Sequence, residues 1–452
     1  MNNTQELSGY TYFVHAFGCQ MNKHDAERVC GILDQLGANQ SKTVADADIV
    51  VFLTCCVREA ADTRLFGQLE SIKNLPLRDG SVADKRIFGI GGCIAQRDGQ
   101  TLLDKYPHID VVVGTQKLSA LKDMILDAAI NGKRSAITPE KSDEFASDLP
   151  TKRELNYSAW LPITSGCNNF CSYCIVPYVR GREKSRSFDD IVAEASSLLA
   201  DGVQEITLLG QNVNSYGRDL FGEPKFAELL KAVSDTGINR LRFLTSHPKD
   251  LNDEVIKSFA DLKNVMPAIH LALQSGSDKV LHDMNRKYTS AHYMELIYKL
   301  REARPDIALS TDIIVGFPTE DASDFEQTYK FVNKVGYSSA FTFIYSKREG
   351  TPAAKMTPVS SDVEIHERFE RLADAIALSA NEYNKQFLNS TQRVLVEGPS
   401  KKDKSILTGK SEYNTLVHFP YSGNSTDIIG RIVDIDITET KTWYLSGKII
   451  NQ

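Results

Sequence analysis

Apolar residues along this chain alternate between two kinds of run. Short β-branched or aliphatic blocks are followed by stretches whose apolar positions recur every three to four residues, the mark of strands alternating with amphipathic helices. In the first third, strands are predicted at 10–17, 48–53 and 86–90, with a helix at 26–36 whose stripe is Val29, Ile32, Leu33 and Leu36. A polar, proline-bounded stretch at 139–153 reads as a linker. Six further blocks follow at 159–164, 205–209, 240–245, 268–274, 308–315 and 340–345. Helical stretches between them, such as 191–199 and 325–335, supply the crossovers. Six βα units suggest a barrel or partial barrel, with its active site at the strands' carboxyl ends. A long helix at 362–387 then gives way to β-branched runs at 393–396, 415–419, 428–437 and 442–450, separated by Gly, Asn, Pro and Ser. That pattern predicts a small antiparallel barrel. The expected fold is thus α/β, with a parallel α/β domain at 8–138, a partial (β/α)6 barrel at 153–387 and an all-β barrel at 388–452.

Composition narrows the class. The 452 residues are 42% hydrophobic and 25% charged, ordinary for a globular protein. No apolar run approaches the roughly 20 residues a membrane helix needs, and the N-terminus has neither a basic head nor an apolar stretch. Eight cysteines without an export signal point to metal binding in a reducing compartment, the cytoplasm, and away from disulfides. The net charge of -7, from 52 basic and 59 acidic side chains, argues against indiscriminate nucleic-acid binding but leaves room for a local basic surface.

Chemistry concentrates in Cys167-Asn168-Asn169-Phe170-Cys171-Ser172-Tyr173-Cys174. Three thiolates share one loop, with no fourth Cys or His close behind. A closed structural zinc site and an electron-transfer iron–sulfur cluster both want four protein ligands. Three ligands on a cubane cluster leave one iron open to a small molecule, and clusters paired with S-adenosylmethionine are one route to radical chemistry. Structural zinc is the bland alternative. A second set lies just past the three N-terminal strands, at Cys19, Cys55 and Cys93. In a parallel sheet those strand ends converge, which predicts a second three-cysteine cluster. The competing reading is buried core cysteines, and it is preferred for Cys30. Cys56 is the alternative to Cys55, since neighbours in sequence rarely ligate one metal together.

The cysteine loop, with Tyr173 before its last thiol, resembles the radical-SAM superfamily. With the motifs FGCQMN (17–22), TCCVRE (54–59) and GCIAQR (92–97), the chain resembles radical-SAM methylthiotransferases over nearly its whole length. CIVPYVRGRE (174–183), Ser185-Arg186, LGQNVNSYG (209–217), TSHP (245–248) and QSGS (274–277) are similar to the branch that modifies isopentenylated adenosine in tRNA. The ribosomal-protein branch differs across 211–216. Gly409-Lys410 and Gly430-Arg431 fit that family's C-terminal TRAM domain, which implies RNA binding.

The resemblance implies two 4Fe-4S clusters, on Cys19, Cys55 and Cys93 and on Cys167, Cys171 and Cys174. It also implies two S-adenosylmethionine molecules per product and methylthio transfer to carbon 2 of the adenosine at position 37, beside the anticodon. Tyr173, Gly210, Gln211, Ser246, Gln274, Ser275 and Thr311 are the candidates to hold S-adenosylmethionine, with glycines such as Gly210 and Gly316 allowing close backbone approach. Arg180, Arg182, Lys184 and Arg186 crowd beside the loop and can contact phosphate, although solvated surface charges would look the same. Asn212, Asn214 and Tyr216 are candidates to read or stack on the base. Lys401 and Lys402 are candidates for RNA contact from a loop of the small barrel. The implied partners are the tRNA anticodon stem-loop, an external one-electron reductant and an unidentified sulfur donor, with a monomer and no membrane. The alternatives are threonylcarbamoyl-adenosine in tRNA or a ribosomal protein as substrate, and, from another class, a non-catalytic zinc-stabilised RNA-binding protein.

Overall fold

The computed structural model describes residues 6–56, 59–140, 145 and 149–450. Val57 and Arg58 of the second cysteine motif, and residues 141–144 and 146–148 of the expected linker, lie outside the described residues. The chain forms two compact units: 1–154, 160–168 and 174–184 make one, and 155–159, 169–173 and 185–452 the other. The stretches 160–168 and 174–184, assigned to the central barrel by sequence order, therefore pack with the N-terminal unit.

The first unit is built on a six-stranded parallel sheet in the order Asn39–Gln40, Thr11–Ala16, Ile49–Thr54, Ile87–Gly92, Val111–Val113, Ser135–Ile137. Every residue of Ile49–Thr54 is buried, because helices cover both faces of the sheet. Val51 and Leu53 share a core with the helices Gln20–Gln35 and Leu121–Asn131. Phe52 and Ile90 share the other core with Leu65, Leu69 and Leu102. Three of these strands were not expected. At two or three residues each, 39–40, 111–113 and 135–137 are too short to show a period, and the sheet recruits them by pairing.

In the second unit Glu205–Leu209 runs parallel to Arg240–Phe243. Isolated bridges Leu241↔Val265 and Ser246↔Leu271 carry the pairing to Ala268–His270. That strand pairs with Ala308–Val315, and the latter with Ser339–Ile344, again in parallel. Ahead of the first strand, the Tyr157 carbonyl accepts from the N–H groups of Gln204 and Glu205. The result is a partial barrel of parallel strands backed by helices. The strands expected over 240–245 and 268–274 stop early, where Thr245 (φ 67°) and Gln274 (φ 70°) take left-handed conformations. Such strain in non-glycine residues gathers where a backbone must aim side chains at a ligand.

The helix Asp362–Lys385 opens on a capping box between Ser361 and Glu364 and leads to a closed five-stranded barrel. Its order is Thr391–Pro399, Ile406–Ser411, Leu416–Pro420, Tyr444–Ile449, Ile432–Thr440. Ile406–Ser411 was not expected, because only alternate residues are buried and Gly409 and Lys410 mask the pattern. Arg240 and Arg242 on the parallel strand donate to the carbonyls of Lys410, Arg393, Glu412 and Ser411. Among the described residues no helix is long and apolar enough to cross a membrane.

Candidate active site

In the N-terminal unit, Ala16 pairs with Leu53, and Leu53 with Gly91, on three neighbouring strands. Cys19, Cys55 and Cys93 follow these residues by three, two and two positions, so backbone register alone brings them to one end of the sheet. Cys19 is the N-cap of the helix Gln20–Gln35, with its side chain left out of the cap. Gly92 sits before Cys93 at φ 89°, and a Cβ there would meet the Thr54 carbonyl oxygen at 2.5 Å. A Cβ on Gly18 would strike the Cys55 Cβ at 2.3 Å. Both glycines are required by this close approach of strand ends.

The thiols of this end of the sheet shift one another's titration. A hydrogen bond from Cys55 pulls Cys19 down to about 6, against its burial. One from Cys56 pulls Cys93 down to about 7, again against burial and helped by Arg180. Cys56, the donor, is pushed up by that bond and by burial. The thiolate is the form a metal needs. Among the described residues no three His, Cys, Asp or Glu side chains are close enough to hold a metal ion as they stand. Cys30 lies in the apolar core, where burial pushes its thiol up to about 12.

In the second unit the middle of the cysteine loop is held from below. Ser172 N donates to the Met284 carbonyl at 3.0 Å, and its hydroxyl to that of Asp283 at 2.7 Å. Asn285 Nδ2 donates to the Phe170 carbonyl at 2.8 Å. Arg286, 5% exposed, donates from Nη1 to Cys171 Sγ at 3.5 Å and from Nη2 to the Ala272 carbonyl at 2.7 Å. Tyr173 packs against the cluster of Val280, Met284, Ile314 and Phe317. Asn285 and Arg286 were missed in the sequence, where an isolated Asn-Arg pair after a short helix carries no signal.

Around the strand ends of this unit, buried polar atoms lack partners. They are Ser246 Oγ, Asn212 Oδ1, and both amide atoms of Asn214. Each of these residues is 2% exposed or less. A buried polar group without a partner costs free energy, so this cluster of orphans at the carboxyl ends fits a polar ligand such as S-adenosylmethionine. Gly210 is buried beside them and Gln211 half-buried. Gln274 binds Asp312 and Ile314 through its backbone. The hydroxyls of Ser275 and Thr311, two of the expected cofactor contacts, have partners within the protein. The Ser275 hydroxyl engages Thr328 and the N–H of Ser277. That of Thr311 donates to the Leu271 carbonyl and accepts from Leu273 N. Its strand neighbour Asp312 points to the opposite face, 3.2 Å from His270 Nε2, with Ser310 3.2 Å from His270 Nδ1. This pair also went unnoticed, because single Asp and His residues inside apolar strands look like exceptions.

Several expected tRNA contacts are turned inward. Tyr216 is fully buried and donates its hydroxyl to the Arg186 carbonyl, so its ring has no free face for a base. Arg186, 6% exposed, pairs with Glu194 at 2.9 Å. Arg180 is equally buried and pairs with Asp25. Asn212 donates to Asp250 at 2.7 Å. Arg182, Lys401 and Lys402 are exposed.

Comparison with known proteins agrees with this arrangement. Residues 161–332 match the Radical SAM superfamily, 11–114 the Uncharacterized protein family UPF0004 and 385–450 the TRAM domain. The fold is similar to that of the radical S-adenosylmethionine methyltransferase TsrM of Kitasatospora setae, at a TM-score of 0.54 and 13% identity over 77% of this chain and 75% of that one. Fold and thiol sets together define a radical-SAM protein with an added N-terminal cysteine domain and a C-terminal TRAM barrel. A tRNA-2-methylthio-N(6)-dimethylallyladenosine synthase of Clostridium novyi (strain NT) is 43% identical over 99% of this chain and 98% of its own length. One of Clostridium tetani (strain Massachusetts / E88) is 43% identical over 97% and 96%. The chain belongs to the tRNA-2-methylthio-N(6)-dimethylallyladenosine synthase family.

Proposed function

We propose that this protein transfers a methylthio group to carbon 2 of isopentenylated adenosine in tRNA, at position 37 in the anticodon stem-loop. The observation that carries the reading is the presence of two separate three-thiol sets at strand carboxyl ends in a chain 43% identical to such synthases over its full length. The zinc-stabilised, non-catalytic alternative falls with that family membership. The cofactors are S-adenosylmethionine and two 4Fe-4S clusters. When bound, they supply a carbon-centred radical able to act on an unactivated aromatic C–H bond, which acid–base chemistry cannot do, and a sulfur atom for transfer.

The chain's own residues hold and shield these groups. Cys19, Cys55 and Cys93 offer one set of thiolates and Cys167, Cys171 and Cys174 the other. Arg286 donates to Cys171 and fixes the loop from beneath. Ser246 and Asn214 offer hydrogen bonds to the polar ends of S-adenosylmethionine. Burial of the surrounding strand ends excludes water from the reacting groups. Arg182, Lys401 and Lys402 attract the phosphate backbone, which positions RNA without reading it. An external one-electron donor and a sulfur donor complete the reaction, and the eight thiols fit a cytoplasmic setting. Substrate choice is tested by offering isopentenylated tRNA, threonylcarbamoylated tRNA and ribosomal protein side by side under anaerobic conditions. Methylthiolation of the first alone is expected. Equal turnover of either other substrate overturns the assignment.

A further inference from the structure

We infer that Arg180 is a positioning residue whose guanidinium supplies the fixed positive charge beside the Cys19 and Cys93 members of the N-terminal trio, with Asp25 setting how much of that charge they feel. The inference rests on the reading of this trio as a cluster site.

Arg180 follows the short helix Val176–Val179, and its backbone is pinned on both sides. Its N–H donates to the Val176 carbonyl at 2.8 Å. Thr115 Oγ1 donates to the Val179 carbonyl at 2.8 Å, and the Gln116 amide to the carbonyl of Arg180 itself. Ile175 and Val179 pack in the same apolar core as Cys56 and Cys93. The side chain therefore points into the unit, and its Nη2 lies 3.2 Å from Asn22 Oδ1 and 3.3 Å from Asp25 Oδ2. Asn22 and Asp25 stand on the first turns of the helix that Cys19 caps. Two residues on, Arg182 is exposed, so the arginines of this run have different surroundings and different work.

A buried ion pair alone contributes little to stability, because desolvating both charges offsets their attraction. Arg180 has more to answer than Asp25. Cys93 and Cys19 both favour its charged form, and Cys93 is within hydrogen-bonding reach of it. The Asp25 side is held in turn. Arg28 Nε donates to His24 Nε2 at 3.2 Å, which leaves the His24 proton on Nδ1, facing Asp25 Oδ1 at 3.5 Å. The fixed charges nearest the thiols are the Arg180 guanidinium and the Asp25 carboxylate, with the Arg28 guanidinium behind His24. Net charge, hydrogen bonds to sulfur and solvent exposure set the potential of an iron–sulfur cluster. A guanidinium here favours the reduced, more negative state, and the carboxylate opposes it.

The test is an EPR-monitored potentiometric titration of the full-length protein carrying C167A, C171A and C174A, reconstituted anaerobically so that only the N-terminal cluster reports. Arg180→Gln is expected to move the midpoint to more negative potential and Asp25→Asn to more positive, with Arg180→Lys close to the parent. Iron content is measured in parallel, and if Arg180→Gln loses iron, the sign of the Asp25→Asn shift decides. Shifts of one sign in both variants, or none at full iron content, overturn the inference. So does an unchanged midpoint with weakened tRNA affinity in Arg180→Gln, which would make Arg180 an RNA contact. A parent protein that takes up no N-terminal iron overturns the cluster reading itself, and this inference with it.

Discussion

Arg286 donates from Nη1 to Cys171 Sγ at 3.5 Å, inside a pocket where it also holds the Ala272 carbonyl and lies over the Tyr288 ring. One side chain thereby ties the cysteine loop to the strand end after Ala268–His270. Groups of this kind, one bond removed from a metal, typically matter by about 10- to 100-fold in metal affinity or activity. Arg286→Gln is expected to lower iron retention at the Cys167/Cys171/Cys174 set and 5′-deoxyadenosine formation within that range. Iron analysis and chromatography of the small-molecule products check it, and wild-type values for both would contradict it.

Ser246 and Thr311 both looked like cofactor contacts, and the structure separates them. Ser246 Oγ is buried without a partner, so Ser246→Ala is expected to leave the melting temperature unchanged or slightly raised. It should weaken S-adenosylmethionine binding by the worth of a hydrogen bond, about 1 kcal/mol or roughly fivefold. Thr311→Val removes two internal hydrogen bonds and is expected to cost about 1–3 kcal/mol of stability with cofactor affinity intact. Equilibrium dialysis and denaturant melts on both variants give four numbers, and a reversed pattern would sink the distinction.

Much of this site was visible before the structure. The strand Ile49–Thr54 carries an apolar run buried on both faces, and Cys19, Cys55 and Cys93 each fall within three residues of a strand's end. What sequence could not give was direction. Arg180, Arg186 and Tyr216 belong to a charged, aromatic stretch that reads as an RNA surface, yet packing turns all three inward. Arg286, Asp312 and His270 belong to no motif along the chain. Their significance lies in neighbours far along the chain, such as Cys171, 115 residues from Arg286.

Glu320 gives stability a pH dependence. It is 1% exposed, and its Oε1 accepts from the Gly316 N–H at 2.8 Å. Burial pushes its carboxyl up to about 7, against the Gly316 N–H and Arg368. The unfolded chain titrates this group near 4.5, so between those values the folded protein holds a proton that the unfolded chain releases. The stabilisation is complete below the unfolded value and is lost as pH rises through about 7. It amounts to about 3 kcal/mol, to order of magnitude. Glu320→Gln keeps the hydrogen bond without the charge. Melting temperatures from pH 5 to 8 are expected to fall less in this variant than in wild type, and parallel curves would contradict the assignment.

Lys401 and Lys402 are exposed on the loop between Thr391–Pro399 and Ile406–Ser411. If they meet phosphates, K401A/K402A weakens tRNA binding regardless of sequence and flattens the slope of its salt dependence by about 0.7–0.9 for each phosphate released. Binding isotherms at several salt concentrations check this, while 5′-deoxyadenosine formation without tRNA stays at the wild-type rate. An unchanged salt slope removes the loop from the interface.

The central claim is tested most directly by one anaerobic reaction of the doubly reconstituted protein with a strong reductant, S-adenosylmethionine and isopentenylated tRNA, analysed by nucleoside mass spectrometry. The predicted result is a 2-methylthio isopentenyladenosine together with 5′-deoxyadenosine, the first abolished by replacing either cysteine trio and the second by replacing Cys167, Cys171 and Cys174. Neither product from protein that carries both clusters would contradict the account.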